Sequence, residues 1–534
     1  MRRGLTVQQW VWRLGACWLI ALSIALRFAT LQGLTYADDY AYVNAALDAN
    51  EKGWLPYVGT LSSHFENRLA IVFPLALALR VFGASERVIA AVPMAANVGA
   101  IVVSFWLGKR LRNTTAGLIA ALVIAFVPQD LWFSSVVLPD TFIPLYVGLA
   151  MLCLVAGLHG EYRPAAEIGL YVGAGLFTLC AAAARPSSIA LLAPLALSAL
   201  WSRRSRGRAV IVPALTVALA GVVVWLATFV MSGDALLLYR QLAEDALRSS
   251  PGTSSNPPTF LYSMAPLVRI VITSHPVPIQ AVLEGGQIRS WVNSRFGLFF
   301  YLALLAWAAC AWWSWKHERY RLPVVSFLIL YLVFEFGSAS PVSYRPFWKL
   351  DRFLTILSVP GALVVALAME RMASVRGRLA SLACKAAAVG LLVAYVVVSW
   401  AMVMEMDRAQ TPVSETYART FDRLRALDLS PRIYVVHWRW EQRGRTYMRM
   451  APSQPHEFRL LNGVDVASIH SAVVIVDESF FGPGGEFLIS WDGFDPALTE
   501  IPERLPAGWV LVFTEERPLG GGRPPQDVTV LYAP

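Results

Sequence analysis

Long apolar runs with few charged side chains recur along this chain of 534 residues. They cover residues 11–31, 87–107, 114–131, 141–158, 166–184, 187–201, 210–230, 296–315, 322–337, 353–369 and 380–404. A helix needs about 20 apolar residues to cross the hydrocarbon core of a bilayer, and many of these runs approach that length. Backbone polar groups in lipid must be satisfied internally, so each run is expected to be helical. The sequence therefore predicts a polytopic α-helical membrane protein with about 11 transmembrane helices.

The composition agrees with a membrane protein rather than a large soluble one. Hydrophobic residues make up 56% of the chain and charged residues only 15%, whereas soluble domains carry about a quarter charged residues. The net charge of +9 does not indicate nucleic-acid binding, because the basic residues cluster in short connections between apolar runs. The five cysteines all lie inside apolar runs, without the spacing of a zinc site or a disulfide framework.

The distribution of basic residues predicts the orientation. Cytoplasmic connections carry an excess of Lys and Arg, and with the N-terminus inside they hold Lys109/Arg110/Arg112, Arg163, Arg203/Arg204/Arg206/Arg208, Lys316/Arg319/Arg321 and Arg371/Arg376/Arg378. The run 69–82 contains Pro74 and Arg80 and is too short to cross a bilayer, so we expect an interfacial helix within a first outer loop, 32–86. We expect the protein to lie in the cell's inner (cytoplasmic) membrane, in contact with membrane lipids.

The C-terminal tail has a different pattern from the rest of the chain. Residues 405–534 contain a helical segment, TYARTFDRLRALD, and four strand-like segments, RIYVVHW, SAVVIVDES, WVLVFTEE and VTVLYAP. The sequence thus predicts a transmembrane domain, 1–404, and a small extracytoplasmic α/β domain, 405–534.

Three aspartates stand where apolar runs end on the predicted outer side. Asp38 and Asp39 follow the first run, and Asp140 follows Pro139 between two later runs. Each could be a helix N-cap, for which Asp is a preferred residue. The topology also places all three at one side of the membrane, where one carboxylate could accept a proton from a hydroxyl and another could position it or bind a cation.

Basic residues are predicted on the same side as the aspartates. They are Arg68, which follows Glu66 in the first loop, Arg185 at a helix junction, and Arg345, Lys349 and Arg352 in the loop 338–352. Each alone could extend to the interface or bind lipid headgroups. Together they suggest a clamp for a phosphate, which guanidinium groups bind in a bidentate manner. Carboxylates for proton removal and cations for a phosphate leaving group are the requirements of transfer from a lipid phosphate.

The first part of the chain contains the segments DDYAY (38–42), ENRL (66–69), VFGASER (81–87), GKRLRNTTAGLIAAL (108–122) and LPD (138–140). These segments resemble those of the GT-C glycosyltransferases, in particular the family of protein O-mannosyltransferases and the lipid A aminoarabinose transferase, with Asp in place of the commoner Glu as the second acid of the first segment. The resemblance covers residues 10–160 well and the region of Arg352 loosely.

This resemblance implies a GT-C fold and a polyprenyl-phosphate sugar donor used from the outer leaflet. It implies inverting transfer to a hydroxyl or phosphate of lipid A, another glycan or a protein. By carry-over the site residues would be Asp38 as general base or acceptor-positioning acid, Asp39 and Asp140 beside it, Tyr42 and Glu66 as substrate contacts, and Arg68, Arg185 and Arg352 as donor-phosphate contacts. Some proteins of this fold need a divalent cation and others do not; the sequence shows no clear set of metal ligands and leaves a cation open.

Two other functions fit a polytopic chain. A transporter or flippase could use the acids as a proton or cation relay, but it would be expected to have broken or charged helices at the bilayer midplane in paired halves. A non-catalytic scaffold would present the tail domain and would leave the aspartates at the membrane edge unexplained.

Overall fold

The structure is a computed structural model. It describes residues 7–32, 34, 37–59, 65–202, 206–237, 240, 297–337, 351–375, 377–427, 432–435, 438–450, 457–460, 468–477, 508–517 and 526–533. Helices make up most of this part of the chain, and a small sheet lies near its C-terminus.

The first eleven helices precede the gap at 241–296. They are α1 (Val7–Ala29), α2 (Ala37–Lys52), α3 (Trp54–Gly59), α4 (Leu69–Phe82), α5 (Glu86–Leu111), α6 (Thr114–Ala125), α7 (Pro128–Trp132), α8 (Pro139–His159), α9 (Pro164–Ala184), α10 (Leu192–Trp201) and α11 (Arg206–Ser232). The helices that follow are α12 (Gly297–Ser314), α13 (Arg321–Phe336), α14 (Ser358–Ala373), α15 (Arg378–Leu427) and α16 (Trp438–Met450). Short 3-10 helices cover Pro186–Leu191, Glu318–Tyr320 and Asp351–Leu357.

Within these described ranges, 6 helices are long and apolar enough to cross a membrane by length and composition: Glu86–Leu111, Pro139–His159, Pro164–Ala184, Gly207–Ser232, Arg352–Ala373 and Leu379–Met404. Shorter apolar helices cover Leu14–Ala29, Leu69–Phe82, Thr114–Ala125, Pro186–Trp201 and Leu298–Ser314. The chain is thus a multi-pass helical protein of the kind that the apolar runs predict. The exact number of crossings stays a prediction, because several helices in the predicted spans are shorter than a bilayer requires.

Helix α4 occupies the run for which an interfacial helix is predicted. Ile71, Val72 and Leu75 are buried, whereas Val81 and Phe82 at its end are largely exposed. The buried face packs on α2 and on α5, which begins four residues later. This helix therefore presents apolar side chains on both faces, one towards the protein and one outward, as an interfacial helix would.

Helices α5 and α6 approach each other closely through glycine. A Cβ atom on Gly117 would lie 2.5 Å from the carbonyl oxygen of Phe105, and one on Gly108 would lie 2.7 Å from the carbonyl oxygen of Ala116. Both neighbours are backbone atoms, which cannot move aside as a side chain can. Small residues allow this kind of backbone contact between membrane helices.

Replacing Gly117 by Ala is expected to destabilise the protein by about 1–3 kcal/mol, because the methyl group would force α5 and α6 apart. Thermal unfolding in detergent would measure the loss. Gly221→Ala is the matched control, since Gly221 also lies in an apolar helix and a Cβ there would meet nothing within 4 Å. Equal unfolding temperatures for the two variants would contradict the role given to Gly117.

A five-stranded sheet forms the core of the C-terminal region. Its strands are β1 (Arg432–Val435), β2 (Glu457–Leu460), β3 (Ala472–Asp477), β4 (Val510–Arg517) and β5 (Gln526–Ala533), in the order β2-β1-β3-β5-β4. The β1 strand pairs in parallel with β2 and β3, and β5 pairs antiparallel with β3 and β4. Helix α16 connects β1 to the β2 side of the sheet, and Gly444 of that helix lies against the ring of Phe458.

The four strands predicted in the tail are present, and the sequence missed β2 and α16. The predicted tail helix is the last part of α15, which runs without interruption from Arg378 to Leu427. One helix thus passes through residue 404, where the sequence places the boundary between the two domains. That boundary stays a prediction about domains and does not coincide with the end of a helix.

Candidate active site

Four separate elements bring charged side chains together at one end of the helix bundle. Asp38 lies in the first turn of α2, Asp140 in the first turn of α8, Arg185 directly after α9, and Arg352 in the 3-10 helix Asp351–Leu357. We call these residues, Asp38, Asp140, Arg185 and Arg352, the acid–arginine cluster. They come from four segments that are far apart in the chain.

Arg352 joins the two aspartates of the cluster. Its Nη2 donates to Oδ2 of Asp38 at 3.0 Å, and its Nε lies 4.0 Å from Oδ2 of Asp140. Arg185 donates to the other oxygen of Asp140, Oδ1. Asp140 is thus held between two guanidinium groups, while Asp38 contacts one of them. Charge-assisted pairs of this kind fix both distance and direction.

Neighbouring residues of the 3-10 helix support the two arginines. Thr355 donates from Oγ1 to the carbonyl oxygen of Arg352 at 2.9 Å, and the same hydroxyl lies 3.5 Å from Oδ1 of Asp140. The guanidinium carbon of Arg185 lies 4.3 Å from the ring centroid of Phe353, and that of Arg352 lies 5.8 Å from it. A guanidinium near an aromatic ring gains a cation–π attraction. These contacts limit the freedom of both cations.

Helix starts explain why the acids sit where they do. Helix α8 begins at Pro139, a residue favoured at the first helical position, and its N-cap is Leu138. Asp140 is therefore not the N-cap that the sequence left open; it lies in the first turn, where the helix dipole favours a negative charge. Asp38 occupies the same position in α2, and its carboxylate pairs with Arg352.

The two acids differ in their access to solvent. The side chain of Asp140 is 1% exposed, whereas that of Asp38 is 30% exposed. The buried acid is surrounded by cations and can serve to hold them. The exposed acid is the one that a molecule entering from outside could reach.

Tyr42 and Arg68 extend the cluster towards the first loop. Tyr42 lies one helical turn after Asp38, is buried, and packs edge-on against Phe65 with ring centroids 5.3 Å apart. Burial raises the pKa of Tyr42, and although Arg68 opposes that shift, the hydroxyl stays protonated at neutral pH and available as a donor. Arg68 donates to the carbonyl oxygen of Ala184 at 2.9 Å, beside Arg185, so that it adds a third guanidinium group.

Asp39 and Glu66 are placed differently from the cluster. Asp39 is completely buried, and its Oδ1 accepts a hydrogen bond of 2.7 Å from the backbone NH of Tyr40. Glu66 is half-buried, and its carbonyl oxygen accepts a hydrogen bond of 3.3 Å from the hydroxyl of Tyr57. Successive helical residues point about 100° apart, so Asp38 and Asp39 face different neighbours. The roles given to both residues stay predictions.

Two predicted contacts, Arg345 and Lys349, lie outside the described residues. Across the described part of the chain, no group of three or more His, Cys, Asp or Glu side chains could hold a metal ion. The question of a divalent cation therefore stays as the sequence left it.

The structure shows polar groups near the site that sequence reasoning missed. Thr355 carries no motif that could have drawn attention to it. Arg27 gave a signal, because it is a charged residue inside the first apolar run. It is completely buried and donates from Nε to Asn97 Oδ1 at 2.7 Å, while Asn97 donates to the carbonyl oxygen of Asp130 at 3.0 Å. These contacts tie α1, α5 and α7 together.

Comparison with known proteins relates this architecture to solved structures. No protein-family model and no curated protein matches the sequence. ArnT from Cupriavidus metallidurans bound to undecaprenyl phosphate has a TM-score of 0.58 at 12% identity, with 98% of each chain covered. The Archaeoglobus fulgidus oligosaccharyltransferase in its apo form has a TM-score of 0.58 at 12% identity, covering 95% of this chain and 80% of that chain. This chain has the GT-C fold.

These two structural similarities confirm the GT-C fold that the resemblance implies. A third structure, the same oligosaccharyltransferase in complex with Zn and sulfate, has a TM-score of 0.51 at 13% identity and covers 80% of this chain. This chain covers 61% of the length of the archaeal enzyme in that structure. The ArnT comparison extends over nearly all of both chains and therefore includes the C-terminal sheet. At these identities the comparisons show the fold alone.

Proposed function

We propose that this protein is a membrane glycosyltransferase that transfers a sugar from a polyprenyl-phosphate-linked donor to an acceptor at the outer face of the cytoplasmic membrane. The observation that carries the proposal is the acid–arginine cluster, in which the partly exposed Asp38 and the buried Asp140 share Arg352, with Arg68 next to Arg185 beside the cluster. The GT-C fold supports the same proposal, since ArnT was solved with undecaprenyl phosphate and the archaeal protein of similar fold is an oligosaccharyltransferase.

Asp38 is the general base in this proposal. It is the more exposed acid of the cluster, and Arg352 holds its carboxylate in one direction. Asp38 would accept the proton of the acceptor hydroxyl as that oxygen forms a bond to the anomeric carbon of the sugar. The bond from this carbon to the phosphate oxygen breaks, and polyprenyl phosphate leaves with the electron pair. Attack from the face opposite the leaving group inverts the anomeric centre.

The arginines provide for the leaving group. A phosphate that departs from a sugar gains negative charge, and guanidinium groups placed beforehand stabilise that charge without reorganising. Arg68 and Arg185 lie next to each other at the end of α9, and Arg352 lies beside Asp140. Asp140 would hold Arg185 and Arg352 in position rather than contact the sugar. Tyr42, protonated and near Asp38, would donate a hydrogen bond to a substrate oxygen.

The acceptor must carry a nucleophilic oxygen. Lipid A, another glycan and a protein each offer a hydroxyl that Asp38 could deprotonate, whereas a phosphate acceptor is already ionised at neutral pH and would not need the base. A direct experiment incubates the purified protein with polyprenyl-phosphate sugars labelled in the sugar, and with membrane extracts as the source of acceptors. Mass spectrometry of glycolipids and glycoproteins then identifies the product. Labelled product that appears only with the protein supports the proposal, whereas movement of the lipid across vesicles without any transfer would favour a flippase.

Arg68→Gln is expected to raise the KM for the lipid-linked donor about tenfold and to lower kcat as well, because Arg68 would contact the phosphate both before the reaction and as it leaves. Transfer measured over a range of donor concentrations separates the two constants. Arg80→Gln is the control, since Arg80 is an exposed arginine at the far end of the neighbouring helix. If the two variants gave the same donor KM, Arg68 would not be a donor contact.

A further inference from the structure

Helix α16 of the C-terminal region lies directly against helix α2, which carries Asp38. The two helices are almost 400 residues apart in the chain, yet side chains from three turns of α2 contact α16. This surface is separate from the acid–arginine cluster and plays no part in the chemistry proposed above.

Asn44 is at the centre of the contact. Its amide nitrogen donates both to the carbonyl oxygen of Gln442 at 3.1 Å and to the side-chain Oε1 of Gln442 at 3.0 Å. Its amide oxygen accepts a hydrogen bond from the hydroxyl of Thr446 at 3.1 Å. Asn44 and Thr446 are both buried. One side chain of α2 is therefore fixed by two consecutive turns of α16.

Arg449 holds the C-terminal half of α2. Its Nη1 lies 2.9 Å from Oδ1 of Asp48, and its Nη2 lies 2.6 Å from Oε1 of Glu51. The same guanidinium donates to the carbonyl oxygen of Asn44 at 3.4 Å. One guanidinium group of α16 thus contacts three residues of α2.

Tyr40 holds the N-terminal end of α2 against the same helix. Its ring lies 6.0 Å from that of Tyr447 and 5.2 Å from the guanidinium carbon of Arg443. The Tyr40 hydroxyl donates to the carbonyl oxygen of Leu34 at 2.7 Å, in the connection from α1. Tyr40 is completely buried, which raises the pKa of its hydroxyl and keeps it a hydrogen-bond donor.

The residues of α2 that contact α16 and those near the acid–arginine cluster lie on two different faces of the helix. Tyr40, Asn44, Asp48 and Glu51 follow one another at intervals of four, four and three, so they form one stripe along the helix. Asp38 and Tyr42 are four residues apart and form a second stripe, turned about 200° from the first at 100° per residue. A rigid helix transmits a constraint on one face to the other. Holding the stripe that begins at Tyr40 therefore fixes the position and rotation of the helix backbone that carries Asp38, while Arg352 orients its carboxylate.

We propose that α16 positions the catalytic helix, with Arg449 and Gln442 as positioning residues that keep Asp38 aligned for sugar transfer. This inference rests on the proposed function, because Asp38 must first be the base. It gives the C-terminal domain a part in the reaction although that domain contributes no residue to the acid–arginine cluster.

The test compares Arg449→Ala with Arg449→Lys and with Arg445→Ala in the full-length protein. Arg445 is the matched control, because it lies one turn away on the same helix and pairs with Glu441 of that helix at 2.6 Å. Arg449→Ala is expected to lower kcat about ten- to hundredfold with little change in the donor KM, since small misplacements of a reacting group have effects of this size. Arg449→Lys, which keeps a cation near Asp48 and Glu51, is expected to restore most of kcat.

Hydrogen exchange of α2 supplies a readout that does not depend on activity. The amides of residues 40–52 are expected to exchange roughly tenfold faster in Arg449→Ala than in Arg445→Ala, because local opening becomes easier when the contact is lost. Equal exchange in these variants overturns the positioning role. A fall in kcat that Arg449→Lys does not reverse, together with a lower unfolding temperature, also overturns it and leaves a purely structural contact. An unmodified protein that transfers no sugar would refute the proposed function, while the exchange comparison would still decide whether α16 orders α2.

Discussion

Asp38→Asn is expected to lower sugar transfer by about 10²–10⁴-fold, the range that general base catalysis usually contributes. Asn has nearly the same shape as Asp but cannot accept a proton. Asp38 is partly exposed and its pair with Arg352 is not deeply buried, so the variant is expected to fold normally. The measurement is the transfer of labelled sugar from a polyprenyl-phosphate donor by purified protein at matched amounts, with the unfolding temperature recorded for each sample.

Asp39→Asn is the control that separates the two adjacent acids. Asp39 is buried and accepts a hydrogen bond from the backbone NH of Tyr40, which the side-chain oxygen of Asn can also accept. Its variant is therefore expected to lose far less activity than Asp38→Asn. Undiminished transfer by Asp38→Asn would refute the assignment of the base. A large loss in Asp39→Asn with none in Asp38→Asn would move the role to Asp39.

The helical architecture could be predicted because lipid imposes a length and an apolar composition on every crossing. This rule does not give the positions at which a helix breaks or changes type. The first predicted crossing, 11–31, lies largely in α1 (Val7–Ala29), but the run 187–201 is divided between the 3-10 helix Pro186–Leu191 and α10, a break that apolar composition does not indicate. Within the tail, α16 is rich in arginine and has no long apolar run; its signal in the sequence is the spacing of four and three between the buried Trp440, Gly444 and Tyr447.

The sequence could predict which residues form the candidate site but not which of them contact each other. The distribution of charges predicts Asp38, Asp140, Arg185 and Arg352 on one side of the membrane, and in the structure these four residues lie together. It could not be known from the sequence that Arg352 contacts both aspartates, because that depends on how the 3-10 helix Asp351–Leu357 packs against α8. Helical direction likewise separates Asp38 from Asp39, although the two are adjacent in the motif.

Asp140→Asn is expected to destabilise the protein by about 3–5 kcal/mol, because it leaves the buried Arg185 without its carboxylate. Thermal unfolding in detergent measures this loss, and Asp422→Asn is the control. Asp422 also pairs with an arginine, Arg425, but its side chain is 68% exposed, so its removal is expected to have a negligible effect. Transfer by Asp140→Asn is expected to fall as well, because Arg185 and Arg352 lose the group that holds them.

The double variant Asp140→Asn/Arg185→Gln separates the two effects. Once both charges of the buried pair are removed, no uncompensated charge remains, and the protein is expected to recover most of the stability lost in Asp140→Asn. Transfer is not expected to recover, since the guanidinium group proposed to bind the donor phosphate is now absent. If the two substitutions instead destabilised the protein additively, the ion pair would not be what stabilises this end of the bundle. If the double variant regained activity along with stability, Arg185 would be a structural partner of Asp140, and the phosphate would have to be held by Arg68 and Arg352.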